Sequence, residues 1–125
     1  MKYVDGFVLA VPTKKLAAYK KMATVAGKVW RKYGALEYVE AAGDDLEKTF
    51  GVSFNKLVKA KRGETVIFSW IVYKSRAHRD QVNKKVMADP EIKKAMEKGP
   101  MPFDVKRMAY GGFKFLVEGE SGSKQ

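Results

Sequence analysis

The stretch that most constrains this chain is Thr-Val-Ile-Phe-Ser-Trp-Ile-Val-Tyr at residues 65–73. It is dense in β-branched and aromatic side chains and reads as a strand. Its alternation is unusual. Val66, Phe68, Trp70 and Val72 point one way, and Ile67, Ser69, Ile71 and Tyr73 point the other. A strand apolar on both sides needs cover on both faces of its sheet.

Three further segments read as strands. Residues 3–11 are apolar-rich and run into Pro12, residues 35–42 follow Gly34, and residues 108–117 contain Gly111-Gly112. Between the first two lies a helical pattern. Leu16, Tyr19, Ala23, Ala26, Trp30 and Tyr33 recur at steps of three or four, one stripe on a helix of about five turns. Thr13 is placed to cap its start and Gly34 to end it. Ser75 is placed to cap a second helix running to about Ala88, with Val82 and Val86 on one face. Pro90 interrupts it, and residues 91–97 can form a shorter helix. Residues 44–63 form a long connection with a short helix after Ser53, whose buried side is Phe54, Leu57 and Val58.

The order is β-α-β-β-α-β. Two interleaved right-handed crossovers in one sheet give a ferredoxin-like α+β fold, with the first and third strands central. Two helices cover one sheet face. The other is too apolar to leave wet, and a second copy of the chain is the simplest cover. One domain over residues 1–118 and a disordered Gly/Ser-rich tail over 119–125 are expected.

Composition narrows the chemistry. The chain has no cysteine and one histidine, which removes disulfides, thiolate sites and most metal sites. Asp44-Asp45-Leu46-Glu47 lacks calcium-loop spacing, and Gly111-Gly112 is not a phosphate loop. No metal and no cofactor are expected. The apolar runs are far shorter than the ~20 residues of a membrane helix, and the N-terminus lacks signal-peptide features. The expected location is cytoplasmic. The net charge of +11 is spread along the chain without a block of five like charges, as in a solvated surface.

Several stretches resemble the YbaA-like family of small bacterial proteins, a family of unknown function. They are Tyr-Val-Asp-Gly-Phe at 3–7, Trp-Arg-Lys-Tyr-Gly-Ala-Leu-Glu-Tyr-Val-Glu at 30–40 and Phe-Ser-Trp-Ile-Val-Tyr-Lys-Ser-Arg-Ala-His-Arg-Asp at 68–80. Val-Met-Ala-Asp-Pro at 86–90 and Met-Pro-Phe-Asp-x-Lys-Arg-Met-x-Tyr-Gly-Gly-Phe at 101–113 complete them. The resemblance implies the dimeric α/β-barrel superfamily, in which two ferredoxin-like sheets pack face to face. It implies no established reaction.

The candidate ligand-binding residues are Asp5, Tyr38, Ser69, Tyr73, Arg76, His78 and Arg107. His78 has a side chain suited to acid–base work, but a histidine at a helix start also serves local packing. Arg76, His78 and Arg79 sit in a first helical turn, where exposed N–H groups and arginines suit a carboxylate or phosphate; an ion pair with Asp80 would serve equally. Asp5, an acid in a buried strand, needs a partner, and Arg107 is the expected one. Glu37 and Glu40 are three apart on a strand and so face opposite sides, which rules out a glycosidase-like couple.

The leading expectation is a homodimeric barrel whose interior cleft binds a small organic molecule, with anionic ones among the candidates; turnover is left open. One alternative is a nucleic-acid-binding module of the same topology. The chain lacks the aromatic motif of RNA-recognition domains, with its aromatics at Phe68, Trp70 and Tyr73 instead, so nucleic acid is not the expected partner. The other alternative is a non-catalytic structural dimer.

Overall fold

The computed structural model describes residues 1–47 and 50–119. The chain runs β1 (Tyr3–Pro12), α1 (Leu16–Lys32), β2 (Glu37–Ala42), α2 (Phe54–Leu57), β3 (Glu64–Tyr73), α3 (Arg76–Met87), α4 (Pro90–Glu97) and β4 (Ala109–Lys114). The strands form one antiparallel sheet in the order β2-β3-β1-β4. This is the ferredoxin-like α+β arrangement, with β1 and β3 central as expected. The expected tail, apart from Gly119, lies outside the described residues.

Register sorts the side chains. Asp5 pairs with Ile71 and Gly112, and Glu40 with Ser69. Cross-strand partners share a face, so one face carries Tyr3, Asp5, Phe7, Leu9 and Val11 with Tyr73, Ile71, Ser69 and Ile67. The helices cover this face. Val29, Val82, Val86 and Ile92 pack on Tyr3, Ile71 and Tyr73, while Tyr19 and Ala23 pack on Leu9, Val11 and Ile67.

Among the described residues, the opposite face is covered only at one end. There Val58 and Leu46, from the connection between β2 and β3, pack on Val8, Ala10 and Val66. Ser53 caps α2, accepting from the Lys56 N–H. Of the three residues expected on its buried side, Val58 is buried, but Phe54 and Leu57 are exposed. Beyond these residues the face is open among the described residues, with Phe68 45% and Phe113 60% exposed.

The helix ends follow local chemistry with one exception. Ser75 caps α3 by accepting from the His78 N–H at 3.0 Å. Asp89 caps α4 at the Glu91 N–H, with Pro90 in the first turn where its missing N–H costs nothing. Gly34 takes φ +113° after α1, a conformation that favours glycine. Thr13, however, does not cap α1. A 3-10 turn over Thr13–Lys15 intervenes, and the Thr13 hydroxyl meets that of Thr65 at 2.8 Å.

Candidate functional site

A cleft of about 850 Å³ lies between α1 and β2, on the helix-covered side of the sheet. That volume is in the range of small-molecule sites. Its walls are mainly apolar, from Leu16, Ala23, Gly27, Leu36, Ala42 and Ile67. The cleft forms where α1 covers only part of the edge strand β2.

Its polar centre is Glu40. The Tyr19 hydroxyl donates to Oε1 at 2.5 Å and the Tyr38 hydroxyl to Oε2 at 2.7 Å. Two elements supply this grouping. Tyr19 comes from the buried stripe of α1, and Tyr38 and Glu40 are two apart on β2 and therefore share a face. Burial, reinforced by the Glu40 carboxylate, pushes both phenols well above their usual pKa. Both keep their protons at neutral pH and remain donors to Glu40. Gly27 lets α1 approach, since a Cβ there would stand 3.0 Å from the Tyr38 ring. Lys20, Lys28 and Arg31 line the rim. The Arg31 guanidinium is engaged by the carbonyls of Ala35 and Leu36.

A second polar cluster sits between α3 and the sheet. Asp5 is 2% exposed, and its Oδ1 lies 3.5 Å from the Arg79 guanidinium without a hydrogen bond. Arg79 also donates to the Tyr3 hydroxyl at 3.2 Å, stacks over the Tyr3 ring and reaches Asp80 at 3.1 Å. Burial raises the Asp5 pKa, and Arg79 opposes the rise. Nearby, Trp30 Nε1 donates to the Tyr73 hydroxyl and to Asn83 Oδ1, both at 3.1 Å. Burial pushes the Tyr73 phenol up.

The expected residues therefore divide. Tyr38 lines the cleft, and Ser69 is buried on the same face, opposite Glu40 in the register. Asp5 and Tyr73 belong to the α3 cluster. Arg76 is exposed at the start of α3. His78 turns to local work: its Nδ1 accepts from the Lys74 N–H at 3.0 Å and its ring meets Tyr73 edge-on. Burial and the neighbouring Lys74 and Lys85 lower its pKa.

The expected Asp5–Arg107 pair does not form. β4 begins at Ala109, so Arg107 lies in the preceding 3-10 turn, and the register sets Gly112 opposite Asp5. Arg107 instead grips Glu64 with two bonds of 2.7 and 2.9 Å, and also reaches Asp104 and the Lys59 carbonyl. It ties the turn before β4 to the start of β3, away from the cleft. This cleft lies under a helix of the same chain, on the side of the sheet away from the face where a second copy is expected to pack. Glu37 and Glu40 do face opposite sides, with Glu37 accepting from Trp70 Nε1 on the open face at 2.5 Å.

Sequence reasoning missed Glu40 and Tyr19. Tyr19 reads as one more core residue of the α1 stripe. Glu40 could have been found by the argument applied to Asp5, because it shares an alternation with Tyr38 beneath a helix and so needs a partner. Among the described residues there is no group of three or more acidic or histidine side chains able to hold a metal. No described helix is long and apolar enough to cross a membrane.

Comparison with known proteins places this geometry. A solved dimeric ferredoxin-like protein from an uncultured marine organism aligns over 97% of this chain and 100% of its own, with a TM-score of 0.59 at 10% identity. A NIPSNAP domain protein from Burkholderia xenovorans aligns over 95% and 99%, with a TM-score of 0.56 at 12% identity. At such identities the likeness speaks for the fold. In sequence, the chain is 47% identical over 118 residues to the uncharacterized protein YbaA of Escherichia coli K12, covering 94% of this chain and 99% of that protein. The profile described as "Protein of unknown function (DUF1428)" matches residues 2–105, and the chain belongs to that family.

Proposed function

We propose that this protein is a cytoplasmic homodimer that binds a small organic molecule in the α1–β2 cleft of each protomer. The observation that carries the binding reading is the convergence of Tyr19 and Tyr38 on Glu40 beneath an apolar cleft of about 850 Å³. A few convergent polar groups in a mostly apolar concavity are the usual anatomy of a ligand site. Here they stand on a strand and a helix, which hold geometry better than loops do.

The dimer reading rests on the open sheet face. Val4, Gly6, Val39, Phe68, Trp70 and Phe113 give it an apolar character, and the similar marine protein is described as dimeric. The face suits a second copy better than RNA. Trp70, its central aromatic, is bonded to the Glu37 carboxylate, which would repel phosphates.

Binding is tested by thermal shift over a library of aromatic and hydroxylated acids, comparing the native chain with Thr24→Trp. Thr24 is exposed and lines the cleft, so the indole fills the site without entering the core. A ligand at 100 times its Kd adds roughly 2.7 kcal/mol to stability. Compounds that stabilise the native chain should lose their effect on Thr24→Trp. Compounds that stabilise both equally place binding elsewhere and refute the reading.

A further inference from the structure

The hydrogen-bond inventory of the cleft selects among ligands. A phenol has one proton to donate, and those of Tyr19 and Tyr38 are both given to Glu40. What the three side chains still offer is lone pairs: the remaining carboxylate positions and the free side of each phenol oxygen. Thr24, on the cleft wall, likewise gives its hydroxyl proton to the Lys20 carbonyl at 2.7 Å. The floor side chains thus form a field of acceptors. A ligand presenting only acceptors there would have to break a charge-assisted bond to Glu40.

The rim has the opposite character. Lys20 and Lys28 follow the cleft-lining face of α1, and among the described residues neither meets an acidic partner. Apart from Thr24, the walls between floor and rim are mainly aliphatic, from Leu16, Ala23, Leu36, Ala42 and Ile67. Donor, apolar body and anion are therefore called for in that order from floor to mouth.

We propose that the cleft takes a hydroxylated carboxylic acid built on an apolar ring, with its hydroxyl donating to the Glu40–Tyr19–Tyr38 oxygens and its carboxylate at Lys20 and Lys28. This rests on the reading of the cleft as a binding site. The test uses four probes on the isotope-labelled native chain, followed by amide NMR: para-hydroxyphenylacetate, para-methoxyphenylacetate, phenylacetate and para-hydroxyphenylacetamide. The hydroxy acid should bind with shifts in α1 and β2. The methoxy ether, which can only accept, should bind weaker by roughly ten-fold or more, because it leaves the floor unpaired. The neutral amide should be weaker than the acid and insensitive to salt.

Glu40→Gln, which brings donors to the floor, should abolish the preference for hydroxyl over methoxy. An ether that binds as well as the hydroxy acid, or an amide that matches the acid, overturns the ligand assignment while leaving the cleft a binding site. Absence of shifts in α1 and β2 with every probe removes the binding reading and the assignment together. The native-chain series decides the matter even if Glu40→Gln fails to fold.

Discussion

Replacing Phe68 by alanine tests whether the open sheet face is a homodimer interface. Phe68 stands on the central strand β3, on the face the helices do not cover, and 45% of its surface is exposed. A phenylalanine can bury about 200 Å², so about 90 Å² remains for a partner to cover. At roughly 25 cal/mol per Å² that burial is worth about 2 kcal/mol. A two-fold interface uses each residue twice, which gives about 4 kcal/mol per dimer and raises the dissociation constant about a thousand-fold. Sedimentation equilibrium over a concentration series reads this directly, with far-UV circular dichroism confirming the fold. Met87→Ala is the control, because Met87 is 48% exposed but lies on α3 in the helical layer. The native chain should sediment as a dimer, Phe68→Ala should dissociate at much higher concentration, and Met87→Ala should match the native chain. A native mass of 14.1 kDa at every concentration, or equal weakening by both substitutions, refutes the reasoning.

Two further outcomes follow from the packing. Arg107 holds the Glu64 carboxyl down from its usual 4.5 to about 2. The unfolded chain therefore binds the proton first, and this pair's contribution is present above pH 4.5 and lost as pH falls towards about 2. Urea midpoints across that window should fall less for Glu64→Gln than for the native chain, and parallel curves would reject the linkage. At Gly112 an added Cβ would press into the Tyr3 ring, with Cε2 at 2.8 Å, while at Gly111 it would meet the Phe113 ring at an ordinary 3.4 Å. Gly112→Ala should cost about 1–3 kcal/mol by overpacking and Gly111→Ala clearly less, as urea denaturation would show; equal midpoints would contradict this.

The parts of the fold that sequence revealed are those fixed by local periodicity. The α1 stripe, the Ser75 cap, the break at Pro90 and the two-sided alternation of β3 are each set within a few residues. Asp5 shows where that reading stops. Its need for a cation was legible, because a carboxylate in a buried strand must be compensated. Which cation it meets depends on where β4 begins and on its register with β1, and both are decided by long-range packing. Arg107 ends a 3-10 turn just before β4 begins at Ala109, and Arg79, near the start of α3, is the partner instead. Glu40 fails differently. Its face was legible, but its partner Tyr19 sits 21 residues away on a helix, in a stripe where a tyrosine is indistinguishable from core.

The alternation of β3 separates what the two faces of the sheet can do. Phe68, Trp70 and Val72 face the open side, while Ile67, Ser69, Ile71 and Tyr73 face the helices. Association and ligand binding, as proposed, thus use opposite sides of one rigid layer. A polar network whose sole role is to stabilise the fold gains most from being sealed, since water weakens its bonds. The Glu40 network is instead built at the floor of a cleft, on an edge strand that α1 leaves partly uncovered. Its donors are already committed before any ligand arrives, so binding at its free lone pairs requires no rearrangement of the floor. That preorganisation lowers the cost of binding and fixes which end of a ligand can point inward.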